Sequence, residues 1–169
     1  MEQHPQDADA TYQRHRRWML EALALAATAG DAGDVPVGAI VVDEADAVIA
    51  TAANQRERSH DPTAHAEILA LRQAGQRRGH WNLSGCTLYV TLEPCPMCAG
   101  AIALSRVSLL VYGAADPKAG AIRSVLNLPD SPASNHRLAV LNGILEPQCR
   151  AQLQQWFQAK RRGDRPPPP

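Results

Sequence analysis

CTLYVTLEPCPMCAGAIALSRVSLLVY, residues 86–112, decides the fold. Residues 86–92 are apolar or β-branched almost throughout, which reads as a buried strand. Pro94 interrupts the run, residues 95–105 predict a helix, and residues 107–112 form a second apolar strand. A strand, a helix and a strand in sequence imply a crossover connection. Upstream, residues 37–42 and 47–52 are short and apolar, and Asp43-Glu44-Ala45-Asp46 joins them as a hairpin. Residues 11–29 are helical, since Trp18, Met19, Ala22, Leu23 and Ala26 recur at three- and four-residue steps before Gly30 and Gly33 stop the pattern. Asp61 as N-cap with Pro62 at the first helical position predicts a second helix reaching about Gln76. Residues 138–141 give a weak fifth strand. Residues 147–162 give a closing amphipathic helix with Leu153, Trp156 and Phe157 inward. The expected fold is α/β, a mixed sheet with helices on both faces.

The chain has 169 residues, 45% hydrophobic and 20% charged, which bounds it to one globular domain. That domain is expected over residues 11–162, between a disordered N-terminal extension, 1–10, and a disordered proline-rich tail, 163–169. No stretch is apolar enough for a membrane span, and the first residues lack a signal peptide's basic and apolar regions, so a cytoplasmic location is expected. Formal net charge is zero, yet residues 1–67 hold 5 basic and 12 acidic side chains and residues 68–169 hold 12 and 5. A basic face toward a polyanion is compatible with that asymmetry, and so is an ordinary solvated surface.

Four cysteines are too few for a disulfide scaffold, but Cys95 and Cys98 form a C-x-x-C at a helix N-terminus, where exposed N–H groups favour thiolate. His65 and Glu67 stand at the start of the preceding helix. One imidazole and two thiolates suit zinc, and three protein ligands leave a fourth position to water, as in a catalytic site. A carboxylate two residues from a ligand is placed to move a proton from water to a substrate nitrogen. Residues i and i+2 of a regular helix point about 200° apart, so metal and substrate must lie off the helix end. A redox pair or half a zinc ribbon is the competing explanation of a lone C-x-x-C, and no second such pair exists. Cys86 and Cys149 read as core residues, and His4, His15 and His80 as surface residues.

At these residues the chain resembles the zinc-dependent nucleoside deaminases with their H-x-E and P-C-x-x-C signature. Within that group it is most similar to the bacterial tRNA-specific adenosine deaminases. The resemblance runs from about Trp18 to about Arg162. It is carried by Asp34-Val35-Pro36-Val37-Gly38-Ala39, Asn54, His60-Asp61-Pro62-Thr63-Ala64-His65-Ala66-Glu67, Leu88-Tyr89-Val90-Thr91-Leu92-Glu93-Pro94-Cys95, Gly113-Ala114-Ala115-Asp116 and Asn135-His136-Arg137. It implies a three-layer α/β/α fold with a central five-stranded sheet. It also implies a homodimer that grips a tRNA anticodon stem-loop, and deamination of the wobble adenosine of an arginine tRNA. Carried over, His65, Cys95 and Cys98 bind one zinc per subunit and Glu67 shuttles the proton. Asn54 hydrogen-bonds the flipped base, the Ala66 N–H touches its reacting edge, Val37 and Leu92 form apolar walls, and Asp116 faces the neighbouring ribose. Without the family, Asn54 is a loop residue, Asp116 a turn former before Pro117, and Val37 and Leu92 core. Pro96 and one extra residue after the first strand depart from the pattern.

Trp156-Phe157 and Lys160-Arg161-Arg162 suit a helix that stacks on and neutralises RNA, though the aromatic pair equally suits the core. Two rival functions remain at this level. One is a deaminase of a free base or nucleotide such as guanine or deoxycytidylate. The other is a non-catalytic RNA-binding partner subunit, against which the presence of Glu67 speaks.

Overall fold

In the computed structural model, which describes residues 5–163, the chain runs α1 (Pro5–Asp31), β1 (Gly38–Val42), β2 (Val48–Ala53), α2 (Arg56–Ser59), α3 (Ala66–Arg78), β3 (Thr87–Leu92), α4 (Pro96–Leu104), β4 (Leu109–Ala114), β5 (Ala139–Asn142) and α5 (Glu146–Arg162). One sheet has the order β2-β1-β3-β4-β5. β1 is antiparallel to β2 and β3, whereas β3, β4 and β5 run parallel. This is the expected mixed five-stranded sheet. The parallel half follows from the α4 crossover, and the antiparallel half from the tight hairpin at Asp43, whose N–H donates to the Ala47 carbonyl at 2.9 Å.

Every second residue of a strand faces the same layer, and the inner strands are apolar on both sides. Ala39, Val41, Leu88, Val90, Leu110 and Tyr112 pack with Ala66, Ala70, Ala99 and Ile102 of α3 and α4. Ile40, Val42, Tyr89 and Val111 pack with Met19 and Ala22 of α1 and Cys149 of α5. The sheet therefore lies between two helical layers. Gly38 lets α1 lie this close, since a Cβ there would stand 2.1 Å from the Ala22 carbonyl oxygen. Cys86 and Cys149 are core residues, as expected.

Four expectations are corrected. The first helix begins at Pro5, so residues 5–10, six of the ten in the supposed N-terminal extension, are helical; Met1 to His4 and the tail from Asp164 lie outside the described residues. Asp61 does not cap a helix. Its carboxylate accepts from the Thr63 N–H at 2.8 Å and the Thr63 hydroxyl at 2.7 Å, closing a turn, and α3 starts only at Ala66. Phe157 is 42% exposed: it lies about 100° around α5 from Trp156, whose indole N–H faces the Gly30 carbonyl of α1. His15 is buried, 6% exposed, on the same face as Met19 and Ala22. Among the described residues no helix is long and apolar enough to cross a membrane.

His15 carries a pH dependence. Its Nδ1 shares a 2.9 Å hydrogen bond with the Tyr89 hydroxyl. Burial first, then the Arg14 guanidinium, hold its pKa below the ordinary histidine value against the weaker pull of Asp46. The unfolded chain therefore binds this proton more readily than the folded one, and stability is lost as pH falls through the unfolded value of about 6.5. The urea midpoint is expected to drop between pH 7.5 and 5.5 in the parent and to drop less in His15→Gln. Parallel curves would contradict the assignment.

Candidate active site

The N-termini of α3 and α4 meet at the carboxyl ends of β3 and β4. His65 is the N-cap of α3, with extended backbone (φ −72°, ψ 149°), and Cys95 is the N-cap of α4 (φ −72°, ψ 173°) with Pro96 behind it. Because His65 stands outside the helix, it and Glu67 project off one end. This resolves the conflict that two-residue spacing inside a helix would create. The Nδ1 of His65 lies 3.7 Å from Cys95 Sγ and 3.5 Å from Cys98 Sγ, and the three ligand atoms lie within 4.8 Å of one another. Tetrahedral zinc bonded to nitrogen and sulfur at its usual distances requires an N···S separation of roughly 3.6 Å. The donor set and its spacing fit zinc.

Electrostatics agree. Cys98 and His65, both hydrogen-bonded to the Cys95 sulfur, bring the Cys95 thiol down to about 4 against the opposing effect of burial. The Cys98 thiol is pushed up by its bond to Cys95 and then by burial. His65 is raised, chiefly by Cys95. Glu67 is 4% exposed, and burial raises its pKa above the carboxylate range, with His65 pulling the other way. A carboxyl beside a metal-binding group and poised to hold a proton is what acid–base chemistry needs.

The remaining candidates lie on the segments that flank these helix ends. Asn54 is 6% exposed at the end of β2. Its N–H donates to the Val37 carbonyl at 2.9 Å, its amide nitrogen donates to the Val35 carbonyl at 3.1 Å, and its Oδ1 is buried without a partner. The next N–H, of Gln55, donates to the Ala64 carbonyl at 3.0 Å, which ties Asn54 to the His65 turn. Ala66 is fully buried, Val37 is 8% exposed, and Leu92 is half-buried. The register of β1 on β3, Ala39 opposite Val90, brings Val37 and Leu92 to the same end of the strand pair. Asp116 stands two residues beyond β4, partly exposed, and its Oδ1 accepts from the Lys118 and Ala119 N–H groups at 2.9 and 3.2 Å. It is a turn former in the loop after β4, tied by its N–H to Glu93, two residues before Cys95.

Two buried acids were not singled out from sequence. Asp34 is fully buried, and its Oδ1 accepts from the Glu57 N–H at 2.7 Å, holding α2 beside Asn54. Glu93 is 1% exposed; burial would raise its pKa, but hydrogen bonds from Ser124, Arg123 and Asp116 hold it below the usual range. On α5, the Trp156 indole N–H donates to the Gly30 carbonyl at 3.1 Å, so this ring anchors α5 to α1, and Lys160 sits 4.5 Å over it.

This arrangement, a buried carboxyl beside a His-Cys-Cys group on paired helix N-termini, is suited to zinc-assisted hydrolysis. The profile of the cytidine and deoxycytidylate deaminase zinc-binding region matches residues 12–114, and the chain belongs to that family. The tRNA-specific adenosine deaminase of Bacillus subtilis is 45% identical over 145 residues, 86% of this chain and 89% of its own. A solved structure of a tRNA:A34 deaminase, studied for A-to-I editing at the wobble position of transfer RNA, superposes with a TM-score of 0.78 at 41% identity, covering 80% of this chain and 98% of that one. The guanine deaminase of Nitrosomonas europaea is more distant in sequence, 27% identical with a TM-score of 0.71 over 85% of this chain and 84% of its own. Within the zinc deaminases the chain therefore groups with the tRNA-specific adenosine deaminases.

Proposed function

We propose that the chain converts adenosine to inosine at the wobble position of a tRNA anticodon, with an arginine tRNA as substrate. The observation that carries this is the convergence of His65, Cys95 and Cys98 beside buried Glu67, in a chain similar to tRNA-specific adenosine deaminases over most of its length. His65, Cys95 and Cys98 hold zinc, which when bound supplies Lewis-acid activation of water. Glu67 takes a proton from the attacking water and delivers it to adenine N1 as oxygen adds at C6. It then carries the second proton to the exocyclic nitrogen, which leaves as ammonia. The unpaired Oδ1 of Asn54 is left for the flipped base. The Ala66 N–H meets its reacting edge, Val37 and Leu92 wall its faces, and Asp116 takes the neighbouring ribose hydroxyl.

The working unit is a homodimer in which the stem-loop contacts both subunits. Support comes from one face of α4, where Met97 and Leu104 are 36% and 74% exposed and a Cβ on Gly100 would meet nothing within 4 Å. Leu104→Glu is expected to leave a folded monomer in sedimentation that loses at least about tenfold in kcat/KM on the stem-loop, the scale of one buried apolar anchor. An active monomer would contradict the dimer requirement. The assignment of the target is tested with stem-loops carrying adenosine at the wobble position or one nucleotide to either side. Inosine is expected at the wobble position only, and equal conversion at all three would refute it.

A further inference from the structure

Among the described residues Glu93 is the most completely hydrogen-bonded acid, yet nothing in the proposed chemistry uses it. Its Oε1 accepts from the N–H groups of Ile122, Arg123 and Ser124 at 3.2, 2.8 and 2.9 Å. Its Oε2 accepts from the Asp116 N–H at 3.1 Å and from the Ser124 hydroxyl. Among the described residues it has no ion-pair partner. The nearby Arg123 guanidinium is spent on Asn142 Oδ1 at 3.1 Å and the Val140 carbonyl. A buried carboxylate held by four backbone amides and one hydroxyl is stabilised by directed dipoles, so its bonds fix geometry more tightly than one mobile counter-ion would.

The residues it joins are far apart in sequence. Glu93 lies two residues before Cys95, while its donors span residues 116–124, the loop after β4. A separate bond, from the Ala121 N–H to the Pro94 carbonyl at 2.8 Å, ties the same two segments. The loop is shaped around the carboxylate: a Cβ on Gly120 would lie 2.5 Å from Glu93 Cδ and Oε2 and 2.6 Å from the Asp116 carbonyl oxygen. Asp116 is therefore held from both sides, its N–H by Glu93 and its carboxylate by the turn it caps.

We infer that Glu93 is a positioning residue for RNA. It fixes the 116–124 loop to the segment leading into α4, so that the Asp116 carboxylate is presented to the ribose beside the target at a set distance from the metal-binding cysteines. The inference rests on the proposal that Asp116 meets that ribose. Glutamine at position 93 would turn an N–H toward the Asp116 N–H and withdraw the charge from four amides, releasing the loop without touching a metal ligand.

The test uses the full zinc-loaded protein and the anticodon stem-loop, comparing the parent, Glu93→Gln, Asp116→Ala and the double variant. Glu93→Gln is expected to raise KM by about tenfold, the scale of one lost charge-assisted hydrogen bond, with kcat within about threefold of the parent and one zinc per chain. In the Asp116→Ala background it is expected to add nothing further. Should Glu93→Gln fail to fold, Ser124→Ala, which removes a single bond to Oε2, is expected to move KM in the same direction by less. If Asp116→Ala raises KM and neither Glu93→Gln nor Ser124→Ala does, the positioning role is overturned. It is overturned equally if Glu93→Gln loses zinc or lowers kcat at unchanged KM, since Glu93 would then serve the metal helix. If Asp116→Ala itself leaves KM unchanged, the ribose contact is what fails.

Discussion

Replacing Glu67 by alanine is expected to lower kcat on the stem-loop by at least about 10³-fold while zinc content and RNA affinity stay near those of the parent. A single positioned acid–base group contributes about 10²–10⁴-fold, and Glu67 is asked to act twice, once toward N1 and once toward the departing amine. The structure gives it the right setting. It is 4% exposed, its pKa is raised by burial, and it sits on the turn after His65 without being one of the three clustered ligand atoms. Glutamine, which keeps the shape and removes the proton chemistry, should be as inactive as alanine. The measurement is single-turnover conversion with zinc quantified on the same samples. Substantial activity in Glu67→Gln would overturn the proton-shuttle role, and loss of zinc would show that the carboxylate is a ligand.

The second large effect is expected from Cys98→Ala. Cys98 is fully buried, so its removal leaves a His–Cys pair and a small void beside the Glu67 carboxyl. Zinc affinity should fall by far more than the ~10–100-fold that an outer-shell partner is worth, and turnover should vanish with it. A metal that binds only the folded chain also stabilises it. Chelation is therefore expected to lower the melting temperature of the parent and to leave that of Cys98→Ala unchanged. A variant that retains one tightly bound zinc would show that the ligand set is not the one proposed.

Much of this architecture is legible in the sequence, and for physical reasons. β3 and β4 are buried on both faces, so they read as apolar runs, and the C-x-x-C between them marks where α4 begins. The His65–Glu67 pair was visible as residue types, but its geometry was not. His65 is an N-cap with no side-chain capping bond, while Asp61, which looks like the better cap, spends its carboxylate on Thr63. His15 was obscured by Arg14, Arg16 and Arg17, although its four- and seven-residue spacing to Met19 and Ala22 already put it on the buried face. Glu93 was hidden for a different reason. Its partners lie 23 to 31 residues away, and nothing local distinguishes a buried acid held by distant amides from an exposed one at a strand end. Asn54 belongs with it, because only the fold shows that one side of its amide is spent on Val35 and that its Oδ1 is free.

The most direct test of the account is to incubate the zinc-loaded protein with an arginine tRNA anticodon stem-loop bearing adenosine at the wobble position, with free adenosine and free guanine in parallel, and to read the products by mass. Inosine in the stem-loop, with both free compounds untouched, is the predicted result. Conversion of free guanine with an unchanged stem-loop would contradict it and make this chain a nucleobase deaminase built on the same zinc site.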